Sequence, residues 1–318
     1  MPWTEDPTDA EAKRIREVQS RLATTLMAIS ETRLTMSPAA STDRPRLELM
    51  RDLALNALSN EEAMRTLHHG FLGAPLRRFL PQNGTNKTWF ETKILPGVAV
   101  HVLGPSRDFD VIRDMDPPAG QSYLKLAEVT ERGRKGAPDP FGPDWFVEPG
   151  KYATEYGSLA AALTLDDRMG IQNVGTGFDE LVAATLDKAV NGTSLMLVLQ
   201  VGRATLLFPG DAQWGTWRRA MESPDFRQLL SETNFYKIGH HGSHNATPVE
   251  FVTDLLGKNF WAMASVTGMA QWPRIPKQEL MKELEKKEGA KLARSDEPDG
   301  AGVDFKTGEG FIDARVPV

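Results

Sequence analysis

Apolar and polar positions follow two rhythms along this chain. Over roughly the first 90 residues the apolar positions recur at helical spacing. Pro7, Thr8 and Asp9 open a helix predicted to run to about residue 29, with Ile15, Val18, Leu22 and Leu26 as its apolar stripe. A polar stretch over 35–46, holding Pro38, Ser41, Asp43 and Pro45, separates it from helices predicted over 46–58 and 60–69. Beyond residue 90 the rhythm shortens. Alternation over 98–103 predicts a strand, stopped by Gly104 and Pro105. Residues 193–201 predict another. Gly202-Arg203 then reads as a two-residue turn, after which 204–208 pairs back as a hairpin. Apolar runs at 235–238 and 260–266 predict two further buried strands, too short for helices. Helices are predicted over 178–190, 214–230 and 276–292, the last carrying a Lys/Glu run, and the tail offers two short edge strands.

This order predicts an α/β protein in three parts. Residues 1–90 form a helical region, 91–275 a strand-rich part, and 276–318 a C-terminal helix and tail. Residues 120–156 are rich in Gly, Pro and aromatics without periodicity, which predicts a long binding loop or lid. A length of 318 residues suits one large domain or two ordinary ones, and 40% hydrophobic residues suffice for a core. The net charge of −6, with both signs interspersed, argues against a basic nucleic-acid footprint. The absence of cysteine removes disulfides, thiolate zinc sites and cysteine nucleophiles together. The opening MPWTEDPTDAEAKR is polar and acidic, unlike a signal peptide, and apolar runs such as 195–199 are far short of a membrane span. A cytoplasmic protein that does not meet a membrane is expected.

The candidate chemistry sits behind two of the predicted strands. Pro209-Gly210 ends one, and Asp211 follows at once. Gly239 ends the other, and His240-His241-Gly242-Ser243-His244 follows. In open α/β folds, ligands collect beyond the carboxyl ends of strands, so both loops are expected on one rim. Asp211 reads either as a helix N-cap or as a metal-binding carboxylate. His240 and His241 are adjacent and cannot point the same way. One is expected to bind metal, the other to support it or meet solvent, unless both are ordinary loop histidines. Three of the six histidines fall within five residues here, which favours a site. Elsewhere, His68-His69 reads as a helix C-terminal pair and His101 as a strand residue. Asp166-Asp167 reads as a solvated turn. The glycine-rich 170–177 lacks the Gly-Lys-Ser/Thr of a phosphate loop.

LLFPGDA, followed about thirty residues later by YKIGHHGSHNATP, resembles the metallo-β-lactamase-fold hydrolase superfamily. The branch it looks most like carries Gly-Asp and His-His-Gly-Ser motifs, as in ComEC-type DNA-uptake domains. NGTSLMLVLQ and VAVHVLGPSRD look similar to the same group, and the likeness covers about residues 90–275. The resemblance implies an αββα sandwich with metal ions at one edge of its two sheets. It also implies that Asp211 is the Gly-Asp carboxylate ligand and His241 the late histidine ligand, with His240 the alternative. Ser243 and His244 would be neighbours rather than catalysts. The implied cofactor is zinc or manganese, and the implied reaction is attack by metal-bound hydroxide on a phosphoester or acyl-type bond. The substrate, small molecule or nucleic acid, stays open.

The chain departs from the family in lacking His-x-His-x-Asp-His; no histidine precedes His68. A catalytic zinc takes about three protein ligands, and Asp211 with His241 gives two. Three expectations follow: a truncated or split hydrolase, a subunit whose partner chain supplies the missing ligands, or a non-catalytic binding module that keeps the fold. Half a sandwich is also expected to expose an apolar sheet face.

Overall fold

The computed structural model describes residues 1–36, 44–73, 76–84, 88–114, 117–123, 190–243, 245–267 and 275–318. The expected loop over 120–156, the helix over 178–190, Asp166-Asp167, the 170–177 stretch and His244 lie wholly or almost wholly outside the described residues.

The protein is mixed α/β. Helix α1 (Ala10–Met36) begins where Asp9 caps it, the Asp9 carboxylate accepting from the amides of Glu11 and Ala12 at 2.9 and 3.1 Å. Its buried positions are Ala12, Ala23, Leu26 and Ser30, while Val18 is exposed, so the buried face is rotated from the expected stripe. Helix α2 (Arg44–His69) is continuous where two helices were expected. Nothing at Ser59-Asn60 breaks a helix, whereas a proline there would.

Seven strands follow: β1 (Trp89–Thr92), β2 (Leu95–Gly104), β3 (Met196–Val201), β4 (Ala204–Phe208), β5 (Phe235–Lys237), β6 (Trp261–Ala264) and β7 (Lys291–Arg294). They form one sheet in sequential order, antiparallel from β1 to β4 and parallel from β4 to β7. The β3–β4 turn is Gly202-Arg203 as expected, with Gly202 at φ 58°. Among the described residues this part also holds three short helices: α3 (Phe109–Arg113), then α4 (Trp214–Glu222) and α5 (Pro224–Ser231) between β4 and β5. The helix expected over 214–230 is therefore two, because Pro224 starts a new helix at its first turn. The helix expected over 276–292 is α6 (Gln278–Glu285) only; Gly289, at φ 69°, turns the chain into β7. A hairpin of β8 (Phe305–Gly308) and β9 (Phe311–Ala314) supplies the two short tail strands.

The sheet has two unlike faces. Val198, Leu207, Tyr236 and Ala262 stand in register across β3 to β6, and each is fully buried. They pack with Trp217 of α4, Leu230 of α5, Leu280 of α6 and Phe251, which lies in a π-helical turn. This is the core. On the other face Leu199, Leu206, Phe235 and Trp261 stand in register and are only half-buried. Of the apolar face expected to lie open, the part at β6 is covered. The β8–β9 hairpin packs Ile312 and Ala314 near Trp261 and Met263. The large apolar side chains that are exposed lie elsewhere, at Val18, Leu72, Leu76 and Ile94 among others.

The chain divides into two compact units, one of residues 1–19, 61–124 and 188–318, the other of 20–60 and 125–187. The seven-stranded sheet belongs to the first. Among the described residues no helix is long and apolar enough to cross a membrane.

Candidate functional site

Strands β4 and β5 are parallel neighbours, so the chain leaves both at the same edge of the sheet. The Gly-Asp loop and the His-His-Gly-Ser loop therefore meet there. His240 N–H donates to the Gly210 carbonyl at 3.1 Å. A Cβ on Gly239 would lie 2.9 Å from that carbonyl oxygen and 3.0 Å from Cγ of Pro209. The two loops touch at these glycines, and no side chain fits between them.

Asp211 is half-buried. It does not cap α4: the capping position is Gln213, whose side chain makes no cap bond. Among the described residues, no group donates a hydrogen bond to the Asp211 carboxylate. It interacts electrostatically with Lys237, the last residue of β5. Burial pushes the Lys237 ammonium below its ordinary range, and the Asp211 charge pulls it partly back. The capping role open to Asp211 is thus vacant, and its carboxylate is half-buried.

His240 and His241 both adopt left-handed backbone, at φ 41° and 55°. Two consecutive non-glycine residues there are strained, at roughly 1–3 kcal/mol each, a feature that clusters at functional sites. Their rings diverge, with centroids 6.4 Å apart and planes at 57°. The His241 ring reaches across to β6: Nδ1–H donates to the Ser265 carbonyl at 2.7 Å. A carbonyl can only accept, so Nδ1 carries a proton and, in the neutral form of the ring, the lone pair is on Nε2.

The His240 ring turns back into its own loop. Its Nδ1 lies 3.1 Å from Oγ of buried Ser243. The Ser243 hydroxyl donates to Asn245 Oδ1 at 2.8 Å, and Asn245 Nδ2 donates to Gln213 Oε1 at 2.9 Å. Ser243 has one proton and gives it to Asn245, so His240 Nδ1–H is the donor to Ser243. His240 too keeps its lone pair on Nε2. The turn that follows is pinned by Lys277 N–H donating to the Gly242 carbonyl at 2.8 Å.

The donors are one carboxylate and two imidazole Nε2 atoms, the mixed O/N chemistry that suits zinc. In kind, then, the residues fit a metal ion. In arrangement they fall short: among the described residues, no three His, Cys, Asp or Glu side chains, Asp211, His240 and His241 included, gather closely enough to hold one. The remaining described histidines are engaged elsewhere. His101 bonds Gln200 Oε1 at 2.7 Å between β2 and β3. His68, at the end of α2, accepts from Arg77 at 3.2 Å and stacks on Phe79; burial and then Arg77 hold it below the usual histidine range.

Sequence reasoning did not find Gln213, Asn245, Ser265 or Lys237. A lysine closing an apolar strand was a usable signal for Lys237. For the other three there was none, because their partners come from other loops. No family model, curated protein or solved structure matches the chain.

Proposed function

We propose that this rim is the Asp/His portion of a metal-dependent hydrolase site of the metallo-β-lactamase kind, acting on a phosphoester or acyl-type bond. The observation that carries the reading is the contact of the two loops through Gly210 and Gly239, which brings the Asp211 loop against the loop of two histidines whose Nδ1 atoms are engaged and whose Nε2 atoms make no hydrogen bond among the described residues. The sheet supports it as well. Helices cover one face and the other is apolar and half-buried, as in one half of an αββα sandwich. Asp211 and His241 or His240 would hold zinc or manganese. When bound, such an ion lowers the pKa of a water and polarises the substrate's oxygen.

The chain's own residues divide the remaining work. Ser265 and Ser243 orient the two imidazoles. Lys237 offsets the charge of Asp211 until a cation does so. Completion of the ligand set by a partner chain, in a cytoplasmic setting, belongs to this reading. The substrate is a small molecule or nucleic acid.

A second reading rests on the spacing of the ligands. With two histidines and one carboxylate short of a metal-holding group, the chain would be a non-catalytic binding subunit that keeps the fold.

Calorimetric titration of the purified chain with Zn²⁺, and turnover of an activated phosphodiester, test both. Zn²⁺ binding that is lost in Asp211→Ala and in either His241→Ala or His240→Ala supports a metal site. Turnover in addition supports the hydrolase, and binding without turnover the subunit. No Zn²⁺ binding by the wild-type chain, either alone or with a co-purified partner chain, sinks the metal reading.

A further inference from the structure

The chain of side chains behind His240 joins the two loops. Gln213 lies two residues after Asp211 on the Gly-Asp side, while Ser243 and Asn245 belong to the histidine side. Gln213 is 3% exposed and Ser243 5% exposed, so these hydrogen bonds have little competition from water. The turn after them is held on both flanks. Trp217 Nε1–H donates to the Ala246 carbonyl at 3.1 Å, and Thr247 Oγ1 lies 2.6 Å from the Tyr236 hydroxyl. Asn245 therefore has a fixed backbone from which to accept the Ser243 proton.

We infer that Ser243, Asn245 and Gln213 form a positioning relay that locks His240 as the Nδ1–H tautomer and presents its Nε2 lone pair at the rim. Its use in holding a metal rests on the reading of the rim given above. The relay distinguishes the two histidines. His241 is exposed and is set by a backbone carbonyl alone, which no side-chain change removes. His240 is half-buried, its amide is tied to the Gly210 carbonyl beside Asp211, and its ring is set by three side chains in series. This moves the leading nitrogen donor from His241 to His240. Groups that orient a metal-binding histidine through its second nitrogen commonly govern affinity.

The direction of the relay follows from the two amides. With Gln213 Oε1 accepting and Asn245 Oδ1 accepting, the Ser243 proton points away from His240. Turning both amides over would send it toward His240 and place the imidazole proton on Nε2. Ring ¹⁵N spectra separate these cases directly. The full chain, labelled at histidine and free of metal, is recorded at about pH 8, above the ordinary histidine range. The His240 signals are assigned by their absence in His240→Gln.

Wild type is expected to show His240 protonated on Nδ1. Ser243→Ala, which removes one oxygen from a buried site, is expected to release the ring to the Nε2–H form that an unconstrained histidine side chain favours. Asn245→Ala frees the Ser243 hydroxyl to donate to Nδ1 and is expected to give the same reversal with the Ser–His bond intact. Zn²⁺ affinity, by calorimetry, should fall about 10- to 100-fold in either variant. An Nε2–H tautomer in wild type, or an unchanged tautomer in both folded variants, overturns the relay. If wild type binds no Zn²⁺, either alone or with a co-purified partner chain, the metal reading fails on its own, and the tautomers still decide the relay.

Discussion

Two single residues show how local chemistry fixes the rim and the first helix. Gly239 has φ −70°, which any residue adopts, so it is needed for space and not for backbone freedom. A Cβ there would meet backbone and proline atoms at 2.9 and 3.0 Å, and neither is the loose end of a side chain. Gly239→Ala should cost about 1–3 kcal/mol by forcing the loops apart, read from urea unfolding. An unchanged midpoint would mean that the loops separate freely. Asp9 differs in kind. Its side chain is 9% exposed, and burial alone would raise its pKa. The Ala12 amide, Arg107 and the Glu11 amide together outweigh that and hold it below its ordinary value of 3.8. A carboxylate with a depressed folded pKa adds stability that is complete above the unfolded value and is lost as pH falls through the folded one. Asp9→Ala should therefore cost about 1 kcal/mol near neutral pH. The gap from wild type should close as pH is lowered below 3.8. A gap independent of pH in acid denaturation curves would show that the charge is irrelevant.

At the scale of elements, the unlike faces of the sheet make neighbours unequal. Leu207 and Leu206 are adjacent in β4 and chemically identical, yet Leu207 is fully buried under the helices and Leu206 is half-buried opposite. Leu207→Ala should cost about 2–5 kcal/mol. Leu206→Ala should cost about 1 kcal/mol, since only part of its surface leaves water on folding. Equal losses in denaturant melts would show that a second layer seals the other face. These elements also mark what could be read in advance. The runs ending in Gly210 and Gly239 are mostly apolar because β4 and β5 are interior strands with a buried face, and that signal is strong. The β3–β4 hairpin announces itself by its glycine turn. β7 does not. Its four residues, Lys-Leu-Ala-Arg, pair with a strand thirty residues earlier and extend a Lys/Glu-rich helix in composition, so only Gly289 marked the change. β1, four residues at the sheet edge, carries too little pattern to be seen. The site divides the same way. Asp211, His240 and His241 are visible as residue types after strand breaks. Gln213, Asn245 and Ser265 acquire their roles only through contacts between loops.

For the molecule as a whole, a metal at the rim would couple chemistry to folding. The ligands stand on two loops that meet only in the folded chain, behind strands whose residues are 29 positions apart in register. An ion that binds the folded state and not the unfolded one stabilises by mass action, about 2.7 kcal/mol at a hundredfold excess over its dissociation constant. Zn²⁺ should then raise the melting temperature of the full chain in a concentration-dependent way, and a chelator should reverse the rise. Asp211→Ala and His240→Ala should abolish the increment while leaving the zinc-free melting temperature close to wild type, since neither side chain supports the core around Leu207 and Tyr236. His101 gives the control. It pairs with Gln200 between β2 and β3, away from the β4–β5 rim, so His101→Gln should retain the full increment. An increment that survives in Asp211→Ala and disappears in His101→Gln would place the bound ion elsewhere in the sheet and remove the physical basis for reading the rim as a metal site.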